Sequence, residues 1–416
     1  MQYGLIGERL GHSFSKEIHE RLTDYIYEPC ELAPSELAGF LRRRDFKGIN
    51  VTVPYKEAVI PFLDGGLDET AARVGAVNVV VNRGGRLSGY NTDAAGFRAQ
   101  AAHAGVSFRG RRVLILGTGG AAKAVRAMVI EGGAAEVLHA VRHQPEKGEV
   151  SYESLRAGHD AEVIVNATPV GMLPDVDGRL VDLNRFPHLK GVLDCVANPL
   201  RTPLVCDTLQ RGLPAEGGTY MLVAQALLTI EIFLGRPLAP GTLEETYRSL
   251  LREKTNIVLT GMPSSGKSTV GRLLAEKLGR PLVDTDACFE ERSGMSIADY
   301  AARYGEAAFR EREAEAVASA ACRQGLVIAT GGGAVMREDS VRRLRQNGVL
   351  LFLDRPLEKL TPTPDRPFSA DAAALRRRYE ERYPVYRSTA DVRIVNDGSL
   401  EAVMDRVTEA LQILLP

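Results

Sequence analysis

A chain of 416 residues is longer than one hydrophobic core usually serves, so two or three domains are expected. With 44% apolar residues, 25% charged residues and a formal net charge of −1, the composition argues against disorder, a fibrous repeat and the basic face of a nucleic-acid binder, which leaves small-molecule chemistry. The five cysteines (Cys30, Cys195, Cys206, Cys288, Cys322) show no CxxC pair or metal-ligand spacing, and no apolar run is long enough to span a bilayer; the expectation is a cytoplasmic protein with no disulfide framework, zinc site or membrane partner.

In chain order, Gln2 to Ile6, Gly48 to Val53 and Ala76 to Val81 are short β-rich runs alternating with helical patterns, which is α/β grammar. Ser13 and Ser15 flank Phe14 after the first strand, where their hydroxyls suit a polyhydroxylated ligand or, equally, a helix N-cap. The run Asn50-Val51-Thr52-Val53-Pro54-Tyr55-Lys56 sets a lysine just beyond a strand that a proline stops. Asn78 follows, and then Asp93 in GYNTDAAG.

At Arg112 the text RVLILG gives way to TGGAAKAVRAMVIEGG, so Val113 to Leu116 reads as a buried parallel strand and the segment after Gly120 as a helix. Between them lies Gly117-Thr118-Gly119-Gly120-Ala121-Ala122. Glycine permits positive φ and lets backbone N–H groups approach a pyrophosphate at the positive helix end; a tight turn without a ligand has the same outline. The strand Val137 to Val141 carries no acid at its end, and Arg142 comes next. A guanidinium there suits a 2′-phosphate, which favours NADP over NAD, with a solvated surface arginine as the alternative. Further strands read at Glu136 to Val141, Glu162 to Asn166 and Gly191 to Asp194. Breakers of helical periodicity crowd Leu234 to Leu243, and Glu244 to Lys254 reads as a charged helix, the best candidate boundary.

From Asn256 a new α/β unit starts. Gly261-Met262-Pro263-Ser264-Ser265-Gly266-Lys267-Ser268 matches GxxxxGK[ST] between the strand NIVLT and the helix TVGRLLAEKL, and it is the strongest single motif of the chain. Its amides form an anion nest, Lys267 reaches the β- and γ-phosphates, and Ser268 ligates magnesium. Leu282 to Asp286 reads as a strand ending in two carboxylates at spacing two, on one side of the strand. That arrangement suits one acid near a metal and one near an acceptor hydroxyl; solvated acids are the alternative. Arg376, Arg377 and Arg378 read as a solvated helix face.

The ordered segments GHSFSKEIH, NVTVPYK, GAVN, LSGYNTDAAGF, GTGGAAKA, VNATPVGM, NPLRTPL and MLVAQA, between Gly11 and Ala226, resemble the signatures of shikimate dehydrogenases. The resemblance implies that Ser13, Ser15, Asn50, Thr52, Asn78, Asp93 and Gln225 bind the ring hydroxyls and carboxylate, and that Lys56 and Asp93 form the acid/base pair. It also implies NADP held by Gly117, Thr118, Gly119, Gly120, Ala121, Arg142, Thr168 and Gly218. Lys16 and Val79 depart from the family pattern, as do Val141 and His143 beside the arginine. Ala197, in DCVANP, stands where the family usually has a tyrosine at the junction of substrate and nicotinamide.

The second half, through its P-loop, DTD, FREREAE, ATGGGAV, DRPF and RRRYEERYPVY, resembles a shikimate kinase. On that resemblance Asp286 orients and deprotonates the ring hydroxyl, Asp284 and Ser268 hold magnesium, and Arg310 and Arg382 grip the carboxylate. Gly331, Gly332 and Gly333 line the ring site. Gly261, Ser264, Ser265, Gly266, Lys267, Ser268 and Thr269 hold ATP, with Lys267 acting in catalysis, and Arg366 descends on the phosphates from the proline-rich lid TPTPDRPFSAD.

Together these readings imply an α/β chain. Residues 1–98 form a substrate domain completed by a helix near 221–236, 99–220 a Rossmann NADP-binding domain, 237–254 a linker, and 255–416 a P-loop, NMP-kinase-like domain with a parallel sheet. The implied chemistry is reduction of 3-dehydroshikimate to shikimate and phosphorylation of shikimate, using NADP, ATP and magnesium. Two alternatives stay open: a first half that acts on quinate, and one that is a weakly active ligand-binding module on a working kinase. Small molecules are the implied partners, with a homo-oligomer left open.

Overall fold

Short aliphatic runs build three separate sheets in the computed structural model, which describes residues 1–11, 14–361 and 372–415. Ser13, Arg366 and the lid segment beyond Thr361 lie outside the described residues. The chain divides into Met1–Tyr247 and Arg248–Pro416. This division falls inside the helix Thr242–Lys254, and hence inside the stretch read as a linker. Tyr247 belongs to the first unit because its ring packs edge-on against Tyr220, at 4.8 Å between centroids, and its hydroxyl donates to Glu216 at 2.9 Å.

In the first unit, β1 (Tyr3–Gly7), β2 (Tyr27–Glu31), β3 (Gly48–Val51), β4 (Val79–Arg83) and β5 (Arg86–Tyr90) form one sheet in the order β2-β1-β3-β4-β5. The first three strands are mutually parallel, and β4 and β5 return antiparallel. Asn50 lies opposite Val79, and Val79 opposite Tyr90, so the residues just before β4 and just after β5 gather at the end of β3. β4 begins at Val79, later than the sequence suggests, because the Val77 N–H leaves the ladder and donates to the Lys56 carbonyl at 2.7 Å. That bond ties the backbone of the lysine turn to the sheet.

The second sheet is wholly parallel, with β6 (Arg112–Leu116), β7 (Glu136–Val141), β8 (Glu149–Ser151), β9 (Val163–Asn166), β10 (Gly191–Asp194) and β11 (Ala215–Glu216) in the order β11-β10-β9-β6-β7-β8. Alternate residues of β6 feed two cores, as the two-residue repeat of a strand requires. Val113 and Ile115 pack with Phe97, Val125 and Val129 on one face, and Leu114 and Leu116 with Ile164, Phe186 and Val192 on the other. With β7 on one side of β6 and β9 on the other, the strand order reverses at β6, the place where open α/β sheets bind ligands. The helix Thr219–Leu234 packs on the helix Asp93–His103. At their contact a Cβ on Gly96 would lie 2.8 Å from the Met221 carbonyl oxygen, so only glycine lets the helices close to this distance.

The second unit has one parallel sheet of β12 (Asn256–Thr260), β13 (Leu282–Asp284), β14 (Val327–Ala329), β15 (Gly348–Asp354) and β16 (Val392–Val395), in the order β13-β14-β12-β15-β16. Its order reverses at β12, immediately before the phosphate-binding loop. Val258 faces the core of Val317 and Leu344, while Ile257 and Leu259 face that of Val270, Val403 and Val407. No helix among the described residues is long and apolar enough to cross a membrane.

His19, on the helix Ser15–Leu22, is fully buried. Its Nδ1 lies 2.7 Å from the Tyr25 hydroxyl and its ring stacks on Tyr27 at 4.1 Å, while Nε2 has no hydrogen-bond partner among the described residues. Burial pushes the imidazole down to about 3. An unfolded histidine titrates near ~6.5. As pH falls, the unfolded state therefore takes the proton first; the stability this group contributes is complete above ~6.5 and is lost as pH drops from there toward about 3. Melting temperatures between about pH 7.5 and 5 should fall more steeply for the unaltered chain than for His19→Phe, which keeps the stack. Equal slopes would show that the fold holds a protonated histidine.

Candidate active sites

The first site forms where the turn after β3 meets the start of the helix Asp93–His103. Lys56 Nζ donates to Asp93 Oδ2 at 2.6 Å, with both side chains at least 85% withdrawn from solvent (15% and 10% exposed). Asn78 Nδ2 donates to Asp93 Oδ1 at 3.0 Å and to Thr92 Oγ1 at 2.9 Å, and its own carbonyl accepts from the Thr92 N–H at 2.8 Å. The Asn50 carbonyl accepts from the buried Tyr27 hydroxyl at 2.7 Å, and its amide donates to Thr229 Oγ1 at 3.3 Å. Gln225 lies one turn before Thr229 on the helix Thr219–Leu234, with its carbonyl 3.5 Å from Thr92 Oγ1.

Of the residues the sequence singled out, Lys56, Asp93, Asn50, Asn78 and Gln225 thus converge in one network. Ser15 is buried as the first residue of its helix, with Phe14 at the N-cap position. Thr52 donates its backbone N–H to Ile6 at 2.9 Å. Thr92, Thr229 and Tyr27 were missed. Thr229 had a signal, its four-residue spacing from Gln225, and Thr92 stood beside Asp93; Tyr27 had none.

The dinucleotide motif follows β6. Gly117 has φ +105°, and a Cβ there would lie 2.8 Å from the Thr168 methyl, so this turn admits glycine alone. Gly119 caps the helix Gly120–Glu131, and a Cβ on Gly120 would be 3.3 Å from Lys56 Cδ. The lysine stem therefore packs on the N-terminal turn of this helix, which follows Thr118 and Gly119 and contains Ala121. Thr168 is held by Asn166, whose carbonyl accepts from its N–H at 3.0 Å and its hydroxyl at 2.7 Å. Asn166 in turn donates to both oxygens of Asp194, at 3.0 and 3.1 Å, and Asp194 also accepts from the Val196 N–H and the Thr202 hydroxyl. Burial, opposed by these donors, pushes the Asp194 carboxyl up to about 6. This clamp, which sequence reasoning missed, joins the loops that carry Thr168 and Ala197. Gly218 donates its N–H to the Val196 carbonyl at 2.8 Å, and a Cβ on it would collide with the Cys195 backbone. Arg142 is exposed at the end of β7.

In the second unit, Gly261 has φ +144°, and a Cβ there would meet the Leu353 carbonyl at 2.7 Å. Lys267 Nζ donates to the carbonyls of Gly261 and Met262, at 3.0 and 2.8 Å. Ser264 takes a left-handed backbone, φ 62°, and its hydroxyl donates to the Thr361 carbonyl. Gly266 precedes the helix Lys267–Leu278, and Thr269 is exposed on its first turn. The Ser265 carbonyl accepts from Asn396 at 2.7 Å, while its buried hydroxyl has no partner among the described residues. Ser268 Oγ donates to Asp284 Oδ2 at 2.6 Å.

The two aspartates do not share a strand face as the sequence suggested. β13 ends at Asp284, and Asp284 Oδ1 accepts from the N–H groups of Asp286 and Ala287, capping the helix Thr285–Ser293. Asp284 wins this role because an aspartate satisfies the orphan donors of a helix start. Asp286 then lies in the first helical turn, beside Gly331.

Gly331, Gly332 and Gly333 form a cradle: a Cβ on Gly331 would strike the Asp286 and Glu313 carboxylates, on Gly332 the Pro263 ring, and on Gly333 the Arg310 guanidinium. Arg310 donates to Glu313 at 2.7 Å and to Glu306 at 3.1 Å. Burial and the neighbouring Asp286 raise the Glu313 carboxyl above its usual range against the pull of Arg310. Arg382 is buried, donates to the Gly332 carbonyl at 3.0 Å, and keeps a buried Nε with no partner among the described residues. Tyr386 also donates to the Gly332 carbonyl. Glu306 and Glu313 were not singled out in advance. Arg378 is not the solvated side chain expected of it: only 19% is exposed, and it points at Glu306.

Residues 5–80 match the family model for the shikimate dehydrogenase substrate binding domain, and residues 263–412 that for shikimate kinase. The shikimate dehydrogenase (NADP(+)) of Halothermothrix orenii is 35% identical over 56% of this chain and 90% of its own length. A Thermus thermophilus shikimate 5-dehydrogenase, solved in complex with NADP(H) and shikimate, is 32% identical over 60% of this chain and 99% of its own, with a TM-score of 0.53. A chorismate mutase/shikimate 5-dehydrogenase fusion protein from Clostridium acetobutylicum is 31% identical over 60% of this chain and 96% of its own, with a TM-score of 0.56. With nine-tenths of a relative spanned at more than 30% identity, and a kinase match beginning in the phosphate-binding loop, the chain belongs to the shikimate dehydrogenase family and carries a shikimate kinase domain behind it.

Proposed function

We propose that the two units act in succession on one metabolite. The chain is a bifunctional enzyme of the shikimate pathway: it reduces 3-dehydroshikimate to shikimate with NADPH, then phosphorylates shikimate with ATP and magnesium. The observation that carries the reading is the withdrawn Lys56–Asp93 contact, lying against the first turn of the dinucleotide helix. A merely ligand-binding first half has no need of such a pair, and β7 has no acid at its end to favour NAD.

In this reading residues 1–98 and the helix Thr219–Leu234 form the substrate domain and residues 99–220 the NADP domain. NADPH, held by Gly117 to Ala121, Thr168, Gly218 and Arg142, supplies the hydride. As charge develops on the ketone oxygen, the Lys56 ammonium stabilises it and gives up its proton. Asp93 holds the ammonium aimed, and Asn78 fixes the carboxylate through its other oxygen. Asn50, Thr52, Gln225 and the serines Ser13 and Ser15 hold the ring. Ala197, lacking the family's aromatic ring, leaves the nicotinamide position to the Asp194 clamp.

For the second step, the buried Ser265 hydroxyl, which has no partner among the described residues, and the amides of the loop suit phosphate oxygens, and the Ser268–Asp284 oxygen pair suits a hard cation such as magnesium. ATP supplies the phosphoryl group, and magnesium neutralises charge on its oxygens. Asp286 takes the proton of the ring hydroxyl, Lys267 stabilises the transferring group, and Arg310 and Arg382 fix the carboxylate so that this hydroxyl faces Asp286. The supply of NADPH and ATP favours a cytoplasmic location; a homo-oligomer fits this reading equally well.

The purified chain given 3-dehydroshikimate, NADPH, ATP and magnesium should yield shikimate 3-phosphate; consumption of neither cofactor would sink the proposal. Lys56→Met should lower dehydrogenase kcat by roughly 10² to 10⁴ while leaving phosphorylation of added shikimate intact. Asp286→Asn should have the opposite pattern, stopping at shikimate. Arg142→Ala should raise KM for NADPH by roughly ten- to a hundredfold with NADH turnover unaltered, as expected for losing charge-assisted bonds to a 2′-phosphate. An equal change for both cofactors would assign Arg142 to the surface.

A further inference from the structure

Arg310 and Arg382 touch the glycine cradle of the second unit, and a third arginine, Arg378, lies beside them although the proposed chemistry does not use it. Arg378 lies one turn before Arg382 on the helix Ala372–Thr389, and its side chain is as withdrawn as that of Arg310, each 19% exposed. Burial and the nearby charges of Arg382 and Arg310 lower its pKa, with Glu306 working the other way. Cations gathered in this way call for an anion.

Part of that anion is built in. One oxygen of Glu306, Oε1, accepts from Arg310 Nη2 at 3.1 Å and lies 3.4 Å from Arg378 Nη2. Glu306 begins the second segment of the helix Ile297–Ala321, directly after a break at Gly305, and 45% of its side chain is exposed. Glu313, which holds the other edge of Arg310 at 2.7 Å, is only 5% exposed. Arg310 therefore has one edge held by a fixed carboxylate and one by a carboxylate that can move to water.

We propose that Arg378 is a third cation of the site for the substrate carboxylate, and that Glu306 is a placeholder which this carboxylate displaces. The inference rests on the reading of Arg310 and Arg382 as carboxylate ligands. A ring carboxylate can give one oxygen to Arg310 and the other to Arg378, whereas Glu306 shares a single oxygen between them. The exchange returns a half-exposed carboxylate to water and gives each guanidinium an oxygen of its own in place of one shared oxygen, and such charge-assisted bonds are among the stronger hydrogen bonds. The Nε of Arg382, without a partner among the described residues, is a further buried donor in the same helix.

Steady-state kinase kinetics on the full chain test the proposal, with ATP binding by calorimetry and dehydrogenase turnover reporting that each unit is folded. Arg378→Met should raise KM for shikimate roughly tenfold with kcat preserved. Glu306→Gln, conservative and exposed, should lower it roughly two- to fivefold, and should leave inhibition by the uncharged carboxamide of shikimate unchanged. Arg310→Met separates the layers of argument. If it leaves KM for shikimate unaltered, the carboxylate reading itself is wrong. If it raises KM while Arg378→Met does not, or while Glu306→Gln leaves KM unchanged or raises it, the placeholder inference is overturned and the carboxylate reading stands. Should Arg378→Met also lose ATP binding, the Glu306→Gln result decides alone.

Discussion

Lys56 meets Asp93 where little water reaches, and stripping two ions of solvent carries a penalty that their attraction offsets only if every remaining lone pair is satisfied. Much of the first unit follows from that constraint. Asp93 opens a helix, so its carboxylate sits at the positive end of the helix dipole. Its second oxygen is bonded by Asn78, which is itself bonded by Thr92, and the chain of partners continues through Thr229 to Asn50 and Tyr27. The lysine arrives from the opposite side, on a turn whose backbone is tied to Val77 and whose stem rests on Gly120. Residues of the first sheet, the dinucleotide helix and the helix Thr219–Leu234 all answer to one ion pair.

The second unit solves a related problem with the opposite sign. Its ligands are anions, so it must hold cations together before they arrive. Lys267 rests on two backbone carbonyls, Arg382 on a third, and Arg310 on two carboxylates that differ in how firmly they are fixed. Carbonyl oxygens hold a cation without neutralising it, so the charge stays available to the phosphates. The parallel sheet orients the parts: with the strand order reversing at β12, the phosphate loop leaves β12, the glycine cradle leaves its neighbour β14, and the Asp284 cap leaves β13 beyond it, all at the same end of the sheet.

What could be read from the sequence was mostly local. A glycine motif between strand and helix depends on residues within a few positions of each other, and so do the alternating apolar strands; Gly117, Gly261 and the faces of β6 and β12 were legible for that reason. The Asp284–Asp286 pair misled because the strand pattern and the capping pattern overlap at the same letters, and the cap ends the strand one residue after Val283. Tyr27 acts through a partner far away in the chain, and no local pattern marks it; Thr229 is marked only by its helical spacing from Gln225. Glu306 looks like any exposed helical acid, and Arg378 like one of a basic run. Only the break at Gly305 and the packing of the helix Ala372–Thr389 bring them face to face.

On the proposed roles, the two sites treat the same ring carboxylate differently. Around Asp93 the described side chains are neutral donors, apart from a lysine already paired with a carboxylate. Around the glycine cradle there are guanidiniums, whose fork matches a carboxylate and whose bonds to it are charge-assisted. An anion recognised by amides and hydroxyls is held by weaker bonds than one recognised by arginines, so the product of reduction should leave its site easily and be retained by the next. Joining the sites in one chain keeps their numbers equal. The charge inventory of each site sets how firmly the shared metabolite is held, while the NADPH and ATP consumed set the direction of net flow.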